Sequence, residues 1–153
     1  MKYTPPMPRK VIFLDIDGVM NSIGPRVQDP RGLVDFLDPG NVAVLNTIVA
    51  ATGAVIVISS MWRLHTPFPE LLASFAAAGC TGQIVDITPD IDPRERHLEV
   101  AAWLAQQAEP PHRFVVIDDE FDMPNFPDKL VRTRKLFGLG ARELPDVLAL
   151  LAD

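Results

Sequence analysis

Cysteine is nearly absent from this sequence, and Cys80 stands alone among 153 residues. A single cysteine excludes an internal disulfide and a cysteine-based zinc site, so we expect a reducing compartment and predict a cytoplasmic location. Long apolar runs are absent as well, since none approaches the about 20 residues of a membrane span. The first ten residues, MKYTPPMPRK, lack the apolar stretch of a signal peptide. The sequence therefore predicts no membrane partner.

Positive charge is also scarce, since 14 lysines and arginines face 20 aspartates and glutamates and the formal net charge is −6 at pH 7. Nucleic-acid-binding domains usually carry a net basic surface, so this balance does not favour one. It leaves room for a local basic site, because arginine outnumbers lysine and arginine holds a phosphate through two hydrogen bonds.

Predicted strands alternate with predicted helices along the whole chain. Continuous apolar runs are typical of strands covered on both faces of a sheet. The strands are predicted over residues 10–15, 54–58, 83–87, 113–117 and 130–133, and the helices from Pro39 to a stop at Gly53 and over 69–78, 93–108 and 144–151. This order predicts one α/β domain over residues 1–153, a three-layer αβα sandwich around a mostly parallel five-stranded sheet.

Three of these strands end in polar side chains: Asp15 and Asp17 after the first, Ser59 and Ser60 after the second, and Asp118 and Asp119 after the fourth. Because ligands bind at the carboxyl ends of the strands in open α/β sheets, we expect these side chains to converge. Carboxylates that converge repel one another, and a divalent cation compensates that repulsion. Ligands that are all oxygen atoms favour Mg²⁺, which also binds a substrate phosphate.

Asp15 and Asp17 lie two residues apart, so in an extended chain both side chains point the same way and can address one reacting group. One carboxylate can act as a nucleophile and the other as a general acid. Gly18 permits a sharp turn and a close approach of the backbone to a ligand. The alternative is an ordinary surface turn after a strand. A calcium loop is excluded, because the third acidic ligand and the terminal glutamate are missing.

Four segments resemble the motifs of the haloacid dehalogenase (HAD) superfamily, and they occur in the same order. They are LDIDGV at 14–19, IVISSMWR at 56–63, an arginine-bearing helix start at 93–99 and VVIDDE at 115–120. The Ser-Ser-x-Trp-Arg string, the Asp-Asp pair and the Gly-Leu-Gly segment at 138–140 look like the HAD domain family of Swiss-army-knife RNA repair proteins. The resemblance covers nearly the whole chain and implies a HAD-like Rossmannoid fold.

The resemblance implies a role for each strand-end residue. Asp15 would attack the phosphorus and form an aspartyl-phosphate, and Asp17 would protonate the leaving oxygen and later activate water. Ser59 would hydrogen-bond a phosphoryl oxygen. A Mg²⁺ site would use Asp15 and the backbone carbonyl of Asp17. Asp118, Asp119 or both would complete it, and which of them binds the metal directly stays open.

The third motif of the superfamily supplies a cation, and no lysine lies between residues 59 and 118. We choose Arg96 over Arg94 for this role. Arg96 precedes Glu99 by three residues and shares its helix face, whereas Arg94 follows Pro93 and falls in a loop. The alternative for Arg96 is a solvated ion pair with a neighbouring glutamate.

The gaps that hold cap domains in other HAD enzymes are short here, a loop over 20–38 and one core helix and strand over 60–93. Without a substantial cap the site is open, which favours a nucleic-acid end or another large phosphoester as substrate. Expected substrate contacts come from Gly18, Ser60 and Arg63, with Arg26, Arg31 and Arg94 as further cations. Trp62 offers a stacking surface for a base, and the alternative, the more frequent role of a tryptophan, is packing in the core or at its edge.

These features together predict a Mg²⁺-dependent phosphatase, a phosphomonoester hydrolase that acts on a phosphorylated partner. One alternative is a small-molecule nucleotidase whose pocket a partner chain completes. The other is a binding module that keeps the fold without the chemistry, and the acidic set argues against it, because a protein without catalysis gains nothing from that repulsion. The sequence does not predict the true substrate, the oligomeric state or a kinase or ligase that works beside the chain.

Overall fold

The computed structural model describes residues 9–21, 37–120 and 122–153. Its strands are β1 (Lys10–Leu14), β2 (Val55–Ile58), β3 (Ile84–Ile87), β4 (Arg113–Asp118) and β5 (Leu130–Arg132), and its helices are α1 (Pro39–Thr52), α2 (Phe68–Ala77), α3 (Arg96–Ala105) and α4 (Leu144–Leu151). Every predicted element is present. The bounds agree to about one residue except at α3, which is shorter than predicted at both ends. It begins only at Arg96, because Glu95 before it is extended and occupies the N-cap position, and it already ends at Ala105. Two short 3₁₀ helices, Met61–Leu64 and Pro127–Lys129, were not predicted.

The five strands form one sheet in the order β3-β2-β1-β4-β5, and every neighbouring pair is parallel. The predicted α/β class with a parallel five-stranded sheet is therefore confirmed. Leu14 lies opposite Ile58 on one side and Ile117 on the other. This register brings the next residue of each strand, Asp15, Ser59 and Asp118, to the same level of the sheet.

Alternate side chains of the central strands enter two separate cores. Ile12 and Leu14 belong to the larger core, which α1, α2 and α4 cover. Val11 and Phe13 belong to the smaller core, where the Phe13 ring meets the ring of Trp103 from α3 edge to face at 5.3 Å. Helices thus cover both faces of the sheet, which explains why the strand sequences are apolar without alternation.

The ends of α1 follow directly from its sequence. The Asp38 carboxylate accepts a hydrogen bond from the Gly40 amide at 2.8 Å, Pro39 opens the helix, and Gly53 ends it in the left-handed conformation with φ of 71°. The predicted start and stop of this helix are confirmed.

Residues 59–95, all of which the structure describes, form only a 3₁₀ turn, α2, β3 and connecting loops. This insertion point therefore holds no cap domain. The segment 22–36, with Arg26 and Arg31, for which a loop was predicted, lies outside the described residues. Of the helices in the described part of the chain, none has the length and apolar character needed to span a bilayer.

Candidate active site

Asp15 lies one residue beyond β1 and is only 5% exposed. Its Oδ1 accepts a hydrogen bond of 2.8 Å from the Ile16 amide, and Nη2 of Arg96 lies 3.6 Å from the same oxygen. Burial, and after it the negative charge of Asp118, raise the pKa of Asp15 well above its ordinary value. The chain therefore holds a desolvated carboxyl group at the centre of the sheet edge.

Arg96 is the first residue of α3, where a positive charge opposes the helix dipole. Neighbouring acidic and hydroxyl groups compensate: its Nε lies 2.8 Å from Oδ2 of Asp118, and its Nη1 donates to Oγ of Ser59 at 3.4 Å. Arg94 is exposed and pairs instead with Asp90 at 2.7 Å. Of the two candidates for the third-motif cation, the structure brings Arg96 to the strand-end carboxylates and keeps Arg94 outside.

One carboxylate oxygen from each of Asp15, Asp118 and Asp119 lies within 4.8 Å of the others. Burial above all raises the pKa of Asp118 to about 6, although Arg96 acts in the opposite direction. Arg96 and the exposed Lys135, whose ammonium group lies 3.9 Å from Oδ2 of Asp119, thus do not balance the three acidic groups. A set of carboxylate oxygens with excess negative charge fits a hard divalent cation such as Mg²⁺. Among the described residues the Asp17 carboxylate is not part of this group.

Gly18 has a positive φ of 78°, and a Cβ atom there would lie 2.5 Å from Oδ2 of Asp119. A glycine is therefore needed both for the backbone conformation and for the approach of Asp119. We expected Gly18 to allow the backbone to approach a ligand closely. In the structure the close neighbour of Gly18 is the Asp119 carboxylate, which belongs to the cluster.

Asp17 is held by two side-chain donors. Its Oδ1 accepts from Nδ2 of Asn21 at 3.0 Å and from Nε1 of Trp62 at 3.2 Å, and Oδ1 of Asn21 accepts from the Gly18 amide. Trp62 is only 4% exposed. Because the residue is buried, the structure supports the packing alternative for Trp62 and not stacking on a base, and the tryptophan positions Asp17.

The two serines after β2 occupy different environments. Ser59 is fully buried, and its Oγ receives hydrogen bonds from Arg96 and, at 3.5 Å, from the Thr88 hydroxyl. Ser60 is also fully buried, but its Oγ accepts from the Trp62 amide at 3.3 Å and caps the 3₁₀ helix. The structure thus places Ser59 beside the cluster and Ser60 in the support of the turn, so the expected substrate contact of Ser60 does not fit this geometry.

Arg63 is 8% exposed, and each guanidinium nitrogen has a protein partner. It donates to the carbonyls of Thr88 at 2.8 Å, Ser60 at 2.7 Å and Pro89 at 3.2 Å, and it forms an ion pair with Glu99. We expected Arg63 to meet the substrate as a second cation. Its contacts indicate a structural role instead, because its donors connect the turn after β2 to the residues that follow β3.

The family model for the HAD domain in Swiss Army Knife RNA repair proteins matches residues 11–144. The chain belongs to this family. No curated protein and no solved structure matches it. The HAD domain points to a phosphatase-type hydrolase with a phosphorylated substrate, and HAD enzymes are typically Mg²⁺-dependent. The acidic cluster at the sheet edge agrees with that general chemistry.

Beside the site lies a buried acid, Glu99, that we did not assign to it from the sequence. Glu99 is 2% exposed and contacts both Arg63 and, at 3.5 Å, Nη1 of Arg96. The spacing between Arg96 and Glu99 is visible in the sequence, and an apolar helix face that includes a glutamate is a signal of a buried ion pair. The contact with Arg63, 36 residues away along the chain, has no local signal.

Proposed function

We propose that this HAD domain is a Mg²⁺-dependent phosphatase that works through an aspartyl-phosphate on Asp15. The observation that carries the proposal is the buried Asp15 carboxyl group at the end of β1, within 3.6 Å of Arg96 and grouped with two further carboxylates. A cytoplasmic setting, predicted from the single cysteine, is part of the proposal.

In the first step a carboxylate oxygen of Asp15 attacks the phosphorus, and the bond from phosphorus to the leaving oxygen breaks. The Ile16 amide holds Oδ1, so we assign the attack to Oδ2. Asp17 gives its proton to the leaving oxygen. Because Asn21 and Trp62 hold one oxygen of Asp17, its carboxyl group has a defined orientation for this transfer.

In the second step water attacks the phosphorus of the aspartyl-phosphate. Asp17 takes the proton from that water, and the bond between phosphorus and Asp15 breaks to release inorganic phosphate. Arg96 and the Ser59 hydroxyl, which already contact each other, stabilise the negative charge on the phosphoryl oxygens in both steps. A Mg²⁺ ion held by Asp15, Asp118 and Asp119 would neutralise the carboxylates and bind a phosphate oxygen.

We assign the substrate to large phosphoesters, with a phosphorylated nucleic-acid end first among them. Two findings support this. Residues 59–95 form no cap over the site, and the family is the HAD domain of RNA repair proteins. A site that residues 59–95 leave open admits the end of a long molecule, whereas enclosed sites suit small ones.

The test is Mg²⁺-dependent phosphate release from p-nitrophenyl phosphate, a mononucleotide and 3′- or 5′-phosphorylated oligonucleotides. We expect turnover by the wild type, with the oligonucleotide preferred, and a loss of ~10³-fold or more in Asp15→Asn, which keeps the shape but not the nucleophile. Asp128→Asn is the matched control, because Asp128 is exposed and precedes β5 at the opposite edge of the sheet. No release from any substrate would refute the proposal and favour the binding module.

A further inference from the structure

Residues 134–137, Arg-Lys-Leu-Phe, form a turn just after β5, which we name the rim turn. Leu136 and Phe137 are each 59% exposed and exceed the other large exposed apolar residues of the described chain, of which Met61 comes next at 48%. Single exposed apolar residues are ordinary, but two adjacent ones beside a functional site indicate a binding surface.

The start of the rim turn is fixed to the carboxylate cluster by Thr133. The Thr133 amide donates to the carbonyl of Asp118 at 3.0 Å, and its hydroxyl donates to the carbonyl of Gly18 at 2.8 Å. Thr133 is buried, so these bonds are shielded from water. The turn therefore leaves the sheet directly beside two loops of the candidate active site.

The end of the rim turn is fixed as well. The Leu139 amide donates to the carbonyl of Val19, and Nδ2 of Asn41 donates to the carbonyls of Phe137 at 3.0 Å and Leu139 at 2.9 Å. Gly138 has φ of 66°, and a Cβ atom there would lie 2.5 Å from the Val19 carbonyl. The two exposed apolar side chains thus extend from a backbone that is held at both ends.

The rim turn is positive in an acidic protein. Residues 134–137 contain two cations, Arg134 and Lys135, and no carboxylate, although the net charge of the chain is −6. The ammonium group of Lys135 lies 3.9 Å from Oδ2 of Asp119, and the Lys135 side chain is 65% exposed. The guanidinium of Arg134 lies 4.5 Å from the centre of the Phe137 ring. An anionic partner with flat, apolar groups complements this surface.

We propose that the rim turn binds single-stranded nucleic acid next to the phosphorylated end, with a base stacked on Phe137 and backbone phosphates on Arg134 and Lys135. Bases stack on aromatic rings and on arginine, and cations follow the phosphate backbone. The ammonium group of Lys135 lies 3.9 Å from the Asp119 carboxylate, so in this proposal the phosphorylated end of a chain bound on the turn reaches the carboxylate cluster. The inference rests on the proposed phosphatase function and names the element that selects its substrate.

The first experiment compares kcat/KM for a short 3′- or 5′-phosphorylated RNA and for p-nitrophenyl phosphate. We expect Phe137→Ala to lose about tenfold on the RNA, mainly through KM, and nothing on the small ester. Phe137→Trp should retain the RNA activity. The control is Val85→Ala, which removes an exposed apolar side chain from β3, at the far edge of the sheet from β5.

Equal losses on both substrates would show that Phe137 supports the site structurally and would overturn the proposal, as would an unchanged RNA activity. A preference for the mononucleotide by the wild type, unaffected by Phe137→Ala, would overturn it too.

The second experiment separates this inference from the phosphatase proposal by measuring binding without turnover. Fluorescence anisotropy of a labelled, phosphorylated RNA should show binding that weakens as salt rises. Arg134→Ala and Lys135→Ala should each reduce the slope of log affinity against log salt by about 0.7, while Arg9→Ala, at the start of β1, should not. If turnover is absent but this binding is seen, the phosphatase proposal fails and the rim turn stands. If wild-type protein does not bind the RNA at low salt, the rim-turn proposal fails.

Discussion

The buried Arg63 and the partly buried Arg96 both contact Glu99, and their surroundings differ. Arg63, on the side of β2 and β3, has three carbonyl partners and Glu99, so its donors are matched, although burial and the charge of Arg96 lower its pKa. Arg96, on the side of β1 and β4, faces the acidic group of Asp15 and Asp118, whose pKa values stay raised in spite of it. The matched side is structural, and the side with excess negative charge is where a cation and a phosphate can bind.

The largest expected effect is a loss of activity on the side with excess negative charge, which we call the unbalanced side. Arg96→Ala removes a donor that faces the phosphoryl group in our mechanism, so kcat should fall about 10²–10³-fold while the protein stays folded. Arg94→Ala is the matched control, because Arg94 is exposed and pairs only with Asp90 among the contacts described. Steady-state kinetics with p-nitrophenyl phosphate measures both. Equal rates for the two variants would contradict the role of Arg96.

On the matched side, a substitution of Arg63 should lower the stability of the protein. Arg63→Met leaves Glu99 as a buried, less compensated charge, so the free energy of unfolding should fall by about 3–5 kcal/mol. Urea unfolding measures this change, and kcat of the protein that remains folded should stay within a few-fold of wild type. A variant that keeps its stability but loses activity as Arg96→Ala does would show that Arg63 meets the substrate after all.

The pH dependence of stability should come from the unbalanced side. The pKa of Asp118 is about 6 in the folded protein against an ordinary 3.8, and that of Asp15 is raised in the same direction. The folded state therefore binds more protons, so the contribution of these groups is complete below about pH 4 and is lost as pH rises through about 6.

Urea unfolding of the metal-free protein at about pH 5 and pH 7 should thus show lower stability at the higher pH. Asp118→Asn should flatten the difference, and excess Mg²⁺ should offset it at pH 7. A wild-type stability that rises between these two pH values would contradict the assignment.

The smallest expected effect comes from substitution of two glycines with positive φ, Gly18 and Gly53. Gly18→Ala and Gly53→Ala both strain the backbone, at a cost of about 1 kcal/mol each. At Gly53 a Cβ meets no atom within 4 Å, whereas at Gly18 it would lie 2.5 Å from Oδ2 of Asp119. Gly18→Ala alone should therefore displace Asp119 and weaken Mg²⁺ binding, measured by calorimetry. Equal Mg²⁺ affinity in both variants would exclude Asp119 from the metal site.

The order of strands and helices could be predicted from the sequence, because apolar run length, Pro39 and Gly53 act locally. The convergence of Asp15, Ser59 and Asp118 could be predicted as well, since the ends of parallel strands in one register must meet at one edge. These features need no knowledge of which distant side chains touch.

The rest was decided by tertiary contacts between residues far apart in the chain. Trp62 is turned inward by the Asp17 carboxylate, and Arg63 is neutralised by Glu99 from α3. The backbone of Phe137 is held by Asn41, 96 residues before it in the chain. Aromatic and arginine residues near a motif look alike in sequence, whether buried or exposed. Their environment is set by the packing of helices against the sheet, so the sequence by itself located the reacting groups, and only the fold separated the groups that support them from those that can meet a substrate.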